Sequence, residues 1–140
     1  RPVRAALPRI ESMASSTKRH PASITARAGC DASGRLTGFE FDGVFDTGAY
    51  ASWGPTVAGR VPVHAMGPYR VPAVRTRARA VFSHNPPSGA FRGFGVPQAA
   101  IAQEALWDRL ADAVGLDRLE FRLLNALRPG DTTATGQVLD

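Results

Sequence analysis

The chain has 140 residues, which fits a single domain, 1–140, with a core of its own. Its 44% hydrophobic and 21% charged residues are ordinary for a globular protein, and no apolar run is long enough to cross a membrane. A net charge of +5, from 17 basic and 12 acidic residues, suits an anionic ligand and falls short of marking a nucleic-acid binder; one cysteine, Cys30, excludes an internal disulfide, which fits a reducing, cytoplasmic setting.

Residues 1–21 read as an irregular or extended lead-in with three prolines. The stretch begins at Arg1 rather than Met and lacks the apolar core of a signal peptide, so the chain reads as a piece of something longer. Ile24, Ala26, Ala28 and Cys30 then share one face of a half-buried strand, and Asp31–Gly34 is a turn. Phe39, Phe41 and Phe45 alternate with Glu40, Asp42 and Asp46 in a second strand, which predicts a hairpin. A short helix is expected near Thr56–Val61. A third strand, Val74–Ser83, carries Arg75, Arg77 and Arg79 on one face.

Beyond the glycine-rich run NPPSGAFRGFGVPQ, Pro97 opens the clearest helix, with Ala99, Ala102, Leu106, Leu110 and Ala113 as its core stripe. Gly115 closes that helix, and Asp117 caps another that runs to about Leu127. The tail from Asp131 reads as a loop. Strands and helices are largely segregated, so the predicted class is α+β: an antiparallel hairpin plus a further strand, with two C-terminal helices packed on the sheet.

Three chemistries compete in these residues. DTGA, Asp46–Ala49, is the tetrapeptide of aspartic proteases, where two chains would share a proton between paired aspartates. That fold also needs a distant bracing strand, and VAGR at Arg60 follows too closely to serve. The alternative for Asp46 and Gly48 is a strand end. The arginine stripe could follow a phosphate backbone as a basic binding module, but no aromatics interleave with it, which favours a solvated face. His20, His64 and His84 stand apart without metal-ligand spacing, and Cys30 lies on an apolar face as an inert thiol. In GAFRGFG, a permissive loop leads into a helix N-terminus, where unpaired N–H groups attract anionic or oxo groups. Arg92 adds charge, and Phe91 and Phe94 add ring faces for a flat ligand. The alternative is that both rings anchor the loop to the core.

Six stretches follow one another in order: RPVR at Arg1–Arg4, STKRHP at Ser16–Pro21, DTGAY at Asp46–Tyr50, GPY at Gly67–Tyr69, GAFRGFGVPQ at Gly89–Gln98 and RPGDTTATGQ at Arg128–Gln137. Together they resemble the molybdopterin-binding subunit of the xanthine dehydrogenase and aldehyde oxidoreductase family, over nearly the whole chain. The resemblance implies a molybdenum–molybdopterin hydroxylase. Such enzymes oxidise aldehydes or electron-poor N-heterocycles with oxygen from water, and electrons leave through iron–sulfur clusters, often to FAD, on other domains or subunits. It implies that the Arg92 backbone lies near molybdenum, with Gly93 beside it in the cofactor contact. It also implies that Phe94 stacks on the substrate ring, that Ala90 leaves room beside the metal, and that Arg60 orients a purine-like substrate. Gly93 stands where the carbon monoxide dehydrogenase branch has a copper-binding cysteine, which argues against that branch.

The family's catalytic glutamate and a further glycine-rich cofactor segment fall outside these residues. No catalytic residue is therefore assigned within the chain. It is expected to be one piece of a larger subunit, inactive alone, working with the remaining domains, the iron–sulfur and FAD partners and a small-molecule substrate. No nucleic acid or membrane partner is expected, and the isolated piece could self-associate through its WGPTVAG region or arginine stripe.

Overall fold

Alternation in the central strand organises the molecule. In β2 (Leu36–Gly48) Phe39, Phe41 and Phe45 are buried, while Glu40, Asp42 and Asp46 stay partly exposed on the opposite face. The computed structural model describes all of residues 1–140. β1 (Ala22–Cys30) pairs antiparallel with β2. The turn between them is fixed by Asp31, whose carboxylate accepts from the Ser33 and Arg35 amides at 2.9 and 3.0 Å. β3 (Ala73–Phe82) lies on the other side of β2 and runs parallel to it, giving the order β1-β2-β3. A parallel pair needs a crossover. The crossover contains α2 (Gly54–His64), which packs on β3 and β2. α3 (Val96–Val114) covers β1, and α4 (Arg118–Asn125) packs on α3. The class is α+β, as the sequence implies.

The core converges on Trp107, which is fully buried. Its ring lies 5.5 Å from Phe39, 5.7 Å from Tyr69 and 6.5 Å from Phe121, so one indole joins the sheet, the crossover and α4. Asn125 ties α4 to the hairpin. Its Oδ1 accepts from the Leu36 amide at 2.8 Å, and its Nδ2 donates to the Gly34 and Phe121 carbonyls, each at 2.9 Å. Burial, then a 3.0 Å hydrogen bond from its hydroxyl to Glu104, pushes the Tyr69 phenol up to about 12.

Both expected caps are present. Gly115 sits at φ 72°, with the Leu116 amide donating to Ala111, and Asp117 accepts from the Leu119 and Glu120 amides at 2.8 and 3.1 Å.

Three sequence expectations change. The lead-in contains α1 (Arg9–Ser15), an exposed helix with no buried residue and hence no apolar stripe to read. Lys18 folds back on it, its Nζ donating to the Ser12 carbonyl at 2.6 Å. α2 is longer than Thr56–Val61 and continues past Pro62 to His64. The buried line of α3 is Gln98, Ala99, Gln103, Trp107 and Ala111; Ala102, Leu106 and Leu110 flank it, and Ala113 is exposed. Gln98 and Gln103 can be buried because their amides donate to the His20 and Met66 carbonyls at 3.1 and 2.6 Å.

Trp107 Nε1 has no hydrogen-bond partner. Trp107→Ala is therefore expected to cost about 3–5 kcal/mol by leaving a cavity, whereas Trp107→Phe, which keeps a ring and removes the unpaired donor, is expected to cost less than half as much. Urea denaturation midpoints of the two variants check this.

Candidate functional site

The loop between β3 and α3 is held at its base by β2. Ser88 donates its amide to the Thr47 carbonyl at 3.0 Å, and Ala49 donates to the Asn85 carbonyl at 3.1 Å. Asp46 is part of the same join. Its Oδ2 accepts from Asn85 Nδ2 at 2.6 Å and its Oδ1 from the Gly48 amide at 2.8 Å. Hydrogen bonds from Ser83, Asn85 and Gly48 hold its carboxyl below the usual range. Asp46 thus serves as a turn-stabilising carboxylate, with both oxygens engaged, and nothing here supports a protease dyad.

Two members of the arginine stripe, Arg75 and Arg79, are partnered by the neighbouring strand, and Arg77 has no ion pair. Arg75 and Arg27 share Glu40 at 3.5 and 3.3 Å, and Arg79 meets Asp42 at 2.8 Å. Such exposed pairs add little stability, but they reduce the free positive charge of that face.

At the loop's apex three consecutive residues have left-handed backbone: Gly93 at φ 83°, Phe94 at 48° and Gly95 at 96°. For Phe94 this conformation costs about 1–2 kcal/mol and needs outside support. Two turns supply part of it, Phe94 N–H to Phe91 O at 2.8 Å and Val96 N–H to Gly93 O at 2.9 Å. Four consecutive amides, from Ala90 to Gly93, donate to no group in the chain. They precede the N-terminus of α3, and Arg92 beside them is exposed and has no carboxylate partner. This donor set fits an oxo or anionic group held by main chain and positive charge together.

α2 borders the loop. A Cβ on Gly95 would lie 2.8 Å from Val61 Cγ2 and 3.0 Å from the Val57 carbonyl, so only glycine allows this approach. Trp53, at the N-terminus of α2, meets the Phe94 ring edge-on at 6.2 Å. Arg60 lies between Val57 and Val61 on the same helix, exposed and without an ion pair. The structure thus gathers Ala90, Arg92, Gly93 and Phe94 in one loop and sets Arg60 on the helix beside it. Phe91 is 47% exposed, so it is no core anchor; Phe94 is half-buried. Phe91 borders a surface cavity that it shares with Arg19 and with Arg9, Ser12 and Met13 of α1, while Arg60, Ala90, Arg92 and Phe94 line no cavity.

Sequence reasoning missed Arg19, Trp53 and Gln98 as parts of this assembly. Arg19 Nη2 donates to the Arg92 carbonyl at 2.6 Å, and its guanidinium lies 4.8 Å from the Phe91 ring centre. Arg19 and Gln98 stand inside STKRHP and GAFRGFGVPQ, so the available signal was the pairing of those two motifs. His20 is buried and its Nε2 has no partner. Burial lowers its pKa against the opposing pull of Asp46, a shift that favours the neutral imidazole.

A loop of free amides before a helix, bordered by a crossover helix and an aromatic pair, is the arrangement this fold offers to a ligand. Residues 1–126 match the molybdopterin cofactor-binding domain family, and the chain belongs to it. It is 49% identical over its whole length to the nicotinate dehydrogenase large molybdopterin subunit of Eubacterium barkeri, covering 33% of that protein. It is 46% identical over 94% of its length to a Bacillus subtilis protein named as a probable xanthine dehydrogenase subunit, covering 18% of it. Among solved structures, the aldehyde oxidoreductase of Desulfovibrio gigas superposes with a TM-score of 0.84 at 37% identity, over 87% of this chain and 14% of that one. The chain thus spans a third or less of the relatives it matches.

Gly95→Ala should crowd α2 and strain the loop, lowering stability by about 1–3 kcal/mol. Gly115→Ala meets open space and should lose only the cost of its left-handed backbone, about 1 kcal/mol. Denaturation midpoints compare the two.

Proposed function

We propose that this chain forms one wall of the molybdenum-cofactor and substrate site of a hydroxylase that oxidises an electron-poor N-heterocycle, nicotinate- or purine-like, or an aldehyde, with water as oxygen source. The observation that carries the reading is the run of unpaired amides from Ala90 to Gly93 in a chain of this family. When bound, molybdenum–molybdopterin would supply the oxidative chemistry, with iron–sulfur clusters and FAD on other domains or subunits taking the electrons onward.

The Arg92 and Gly93 amides would hold the cofactor's oxygen-bearing side by hydrogen bonds, with the Arg92 charge nearby. Phe94 offers a ring face for a flat substrate, and its edge contact with Trp53 limits the ring's rotation. Ala90 is too short to intrude on the space beside the amides. Arg60 would orient an anionic substituent or ring heteroatom and steady negative charge as it develops.

None of the chain's own glutamates is assigned as the base here. Glu104 is held by Tyr69 and by Arg122 at 2.8 Å, and Glu40 is paired on the far face of the sheet. Glu11 and Glu120 lie on α1 and at the start of α4. A proton acceptor would come from another part of the subunit, so residues 1–140 alone are expected to turn over nothing.

The test is the full reading frame expressed in a host that makes the cofactor. About one molybdenum per polypeptide is expected, with turnover of nicotinate or xanthine exceeding that of an aromatic aldehyde. Arg60→Gln should lower kcat/KM for nicotinate about ten- to a hundredfold, the worth of one charge-assisted hydrogen bond, and leave a neutral aldehyde nearly unchanged. A metal-free full-length protein would overturn the cofactor reading, and turnover by the isolated piece would overturn the one-wall reading.

A further inference from the structure

We propose that Arg19 is a positioning residue that sets the direction of the Gly93 N–H, and with it the donor side of the loop. The inference rests on the loop being a cofactor wall. It starts from a deficit of support: residues 90–95 carry three left-handed residues and four unpaired amides. Only one hydrogen bond reaches their main chain from outside the loop and α3, the 2.6 Å bond from Arg19 Nη2 to the Arg92 carbonyl.

That carbonyl belongs to the same planar trans peptide as the Gly93 N–H, so the two point in opposite directions. Fixing the carbonyl toward Arg19 turns the Gly93 N–H to the other side of the loop, where nothing in the chain accepts it. The Arg92 N–H is set in the same way by its own peptide carbonyl, Phe91 O, which accepts from Phe94 N–H at 2.8 Å. One donor is thus aimed by a local turn and the next by a residue 73 positions away in the chain.

Arg19 is itself well placed to hold that carbonyl. On one side of it, the Lys18 carbonyl accepts from the Gly89 amide at 3.0 Å, and Lys18 bridges Ser88 in parallel fashion. On the other, the His20 carbonyl accepts from Gln98 at 3.1 Å. Residues 18–20 therefore grip both feet of the loop while the side chain between them reaches its apex. The guanidinium has no carboxylate partner; it also reaches Gln98 Oε1 at 3.4 Å and lies against the Phe91 ring. A planar fork serves two acceptors with its edge while its flat face lies against a ring, a geometry that the compact ammonium of a lysine does not reproduce.

The experiment is site-resolved hydrogen exchange on the purified full-length subunit, comparing wild type with Arg19→Gln and Arg19→Lys. The amides to follow are Phe94 and Val96, whose turn bonds exist only while the loop keeps its form. Both variants should exchange there about tenfold faster, with the β2 amides and the melting temperature (within about 2 °C) unchanged. Arg19→Lys keeps the charge and serves as the test if Arg19→Gln does not fold. Wild-type exchange at Phe94 and Val96 in both variants would overturn the proposal, as would a loss of protection spreading through β2. The readout needs no turnover: a wild-type subunit without molybdenum would sink the cofactor reading and leave the exchange result standing.

Discussion

Two absent side chains set the distance between the sheet, the crossover helix and the loop. At Gly54 a Cβ would fall 1.6 Å from Thr47 Oγ1, at the end of β2; at Gly95 it would strike Val57 and Val61 of α2. α2 is therefore wedged between β2 and the loop at closer range than any side chain permits. The placing of α2 against the loop follows from that wedge. Trp53 precedes Gly54 and so meets Phe94; Val57 and Val61 pack under Gly95; Arg60, between them, faces solvent beside the loop. A residue with a Cβ at either glycine would separate the helix from the loop and divide the wall into unrelated parts.

The sheet was legible because β2 has one buried face. Its phenylalanines must alternate with polar residues, and a slip of one position would expose all of them. The strand-borne charges were harder to interpret. Arg75, Arg77 and Arg79 form a basic stripe when read along their own strand, but Glu40 and Asp42, which pair with two of them, come from the strand beside it. Sequence gives the charge of a strand face, while its neutralisation depends on strand order and register. The parallel pairing of β2 and β3 was not legible either, since period two is the same in both directions.

Helices divide along similar lines. The caps of α3 and α4 could be read because Gly115 and Asp117 act on amides and carbonyls within a few residues. The buried line of α3 was displaced because two of its members are glutamines, residues ordinarily assigned to the surface. Each is buried only because a carbonyl far away in sequence receives its amide. α1 gave no pattern because it buries no residue, and α2 ran past Pro62, where a helix would be expected to kink or end. In the loop, glycine content and the following helix were enough to mark a candidate ligand site, and the structure shows there a run of amides with no partner in the chain. Its tether at Arg19 was hidden for the same reason as the glutamines: the contact spans 73 residues and involves a main-chain oxygen, which carries no residue identity.

The loop's flexibility and its precision have different origins. Glycine makes the left-handed path accessible at Gly93 and Gly95, but accessibility alone would leave the amides free to point anywhere. Direction comes from the rigid elements around it: β2 at the base, α2 beneath Gly95, residues 18–20 at both feet. Phe94 shows the balance most clearly. Its backbone sits where a residue with a Cβ resists lying, between two glycines that do not resist, and its ring is met by Trp53 from the element wedged below. A strained aromatic in that position marks a loop whose conformation is imposed by its surroundings. An imposed conformation is what a wall of main-chain donors requires, because amides recognise a ligand only if they are aimed before it arrives.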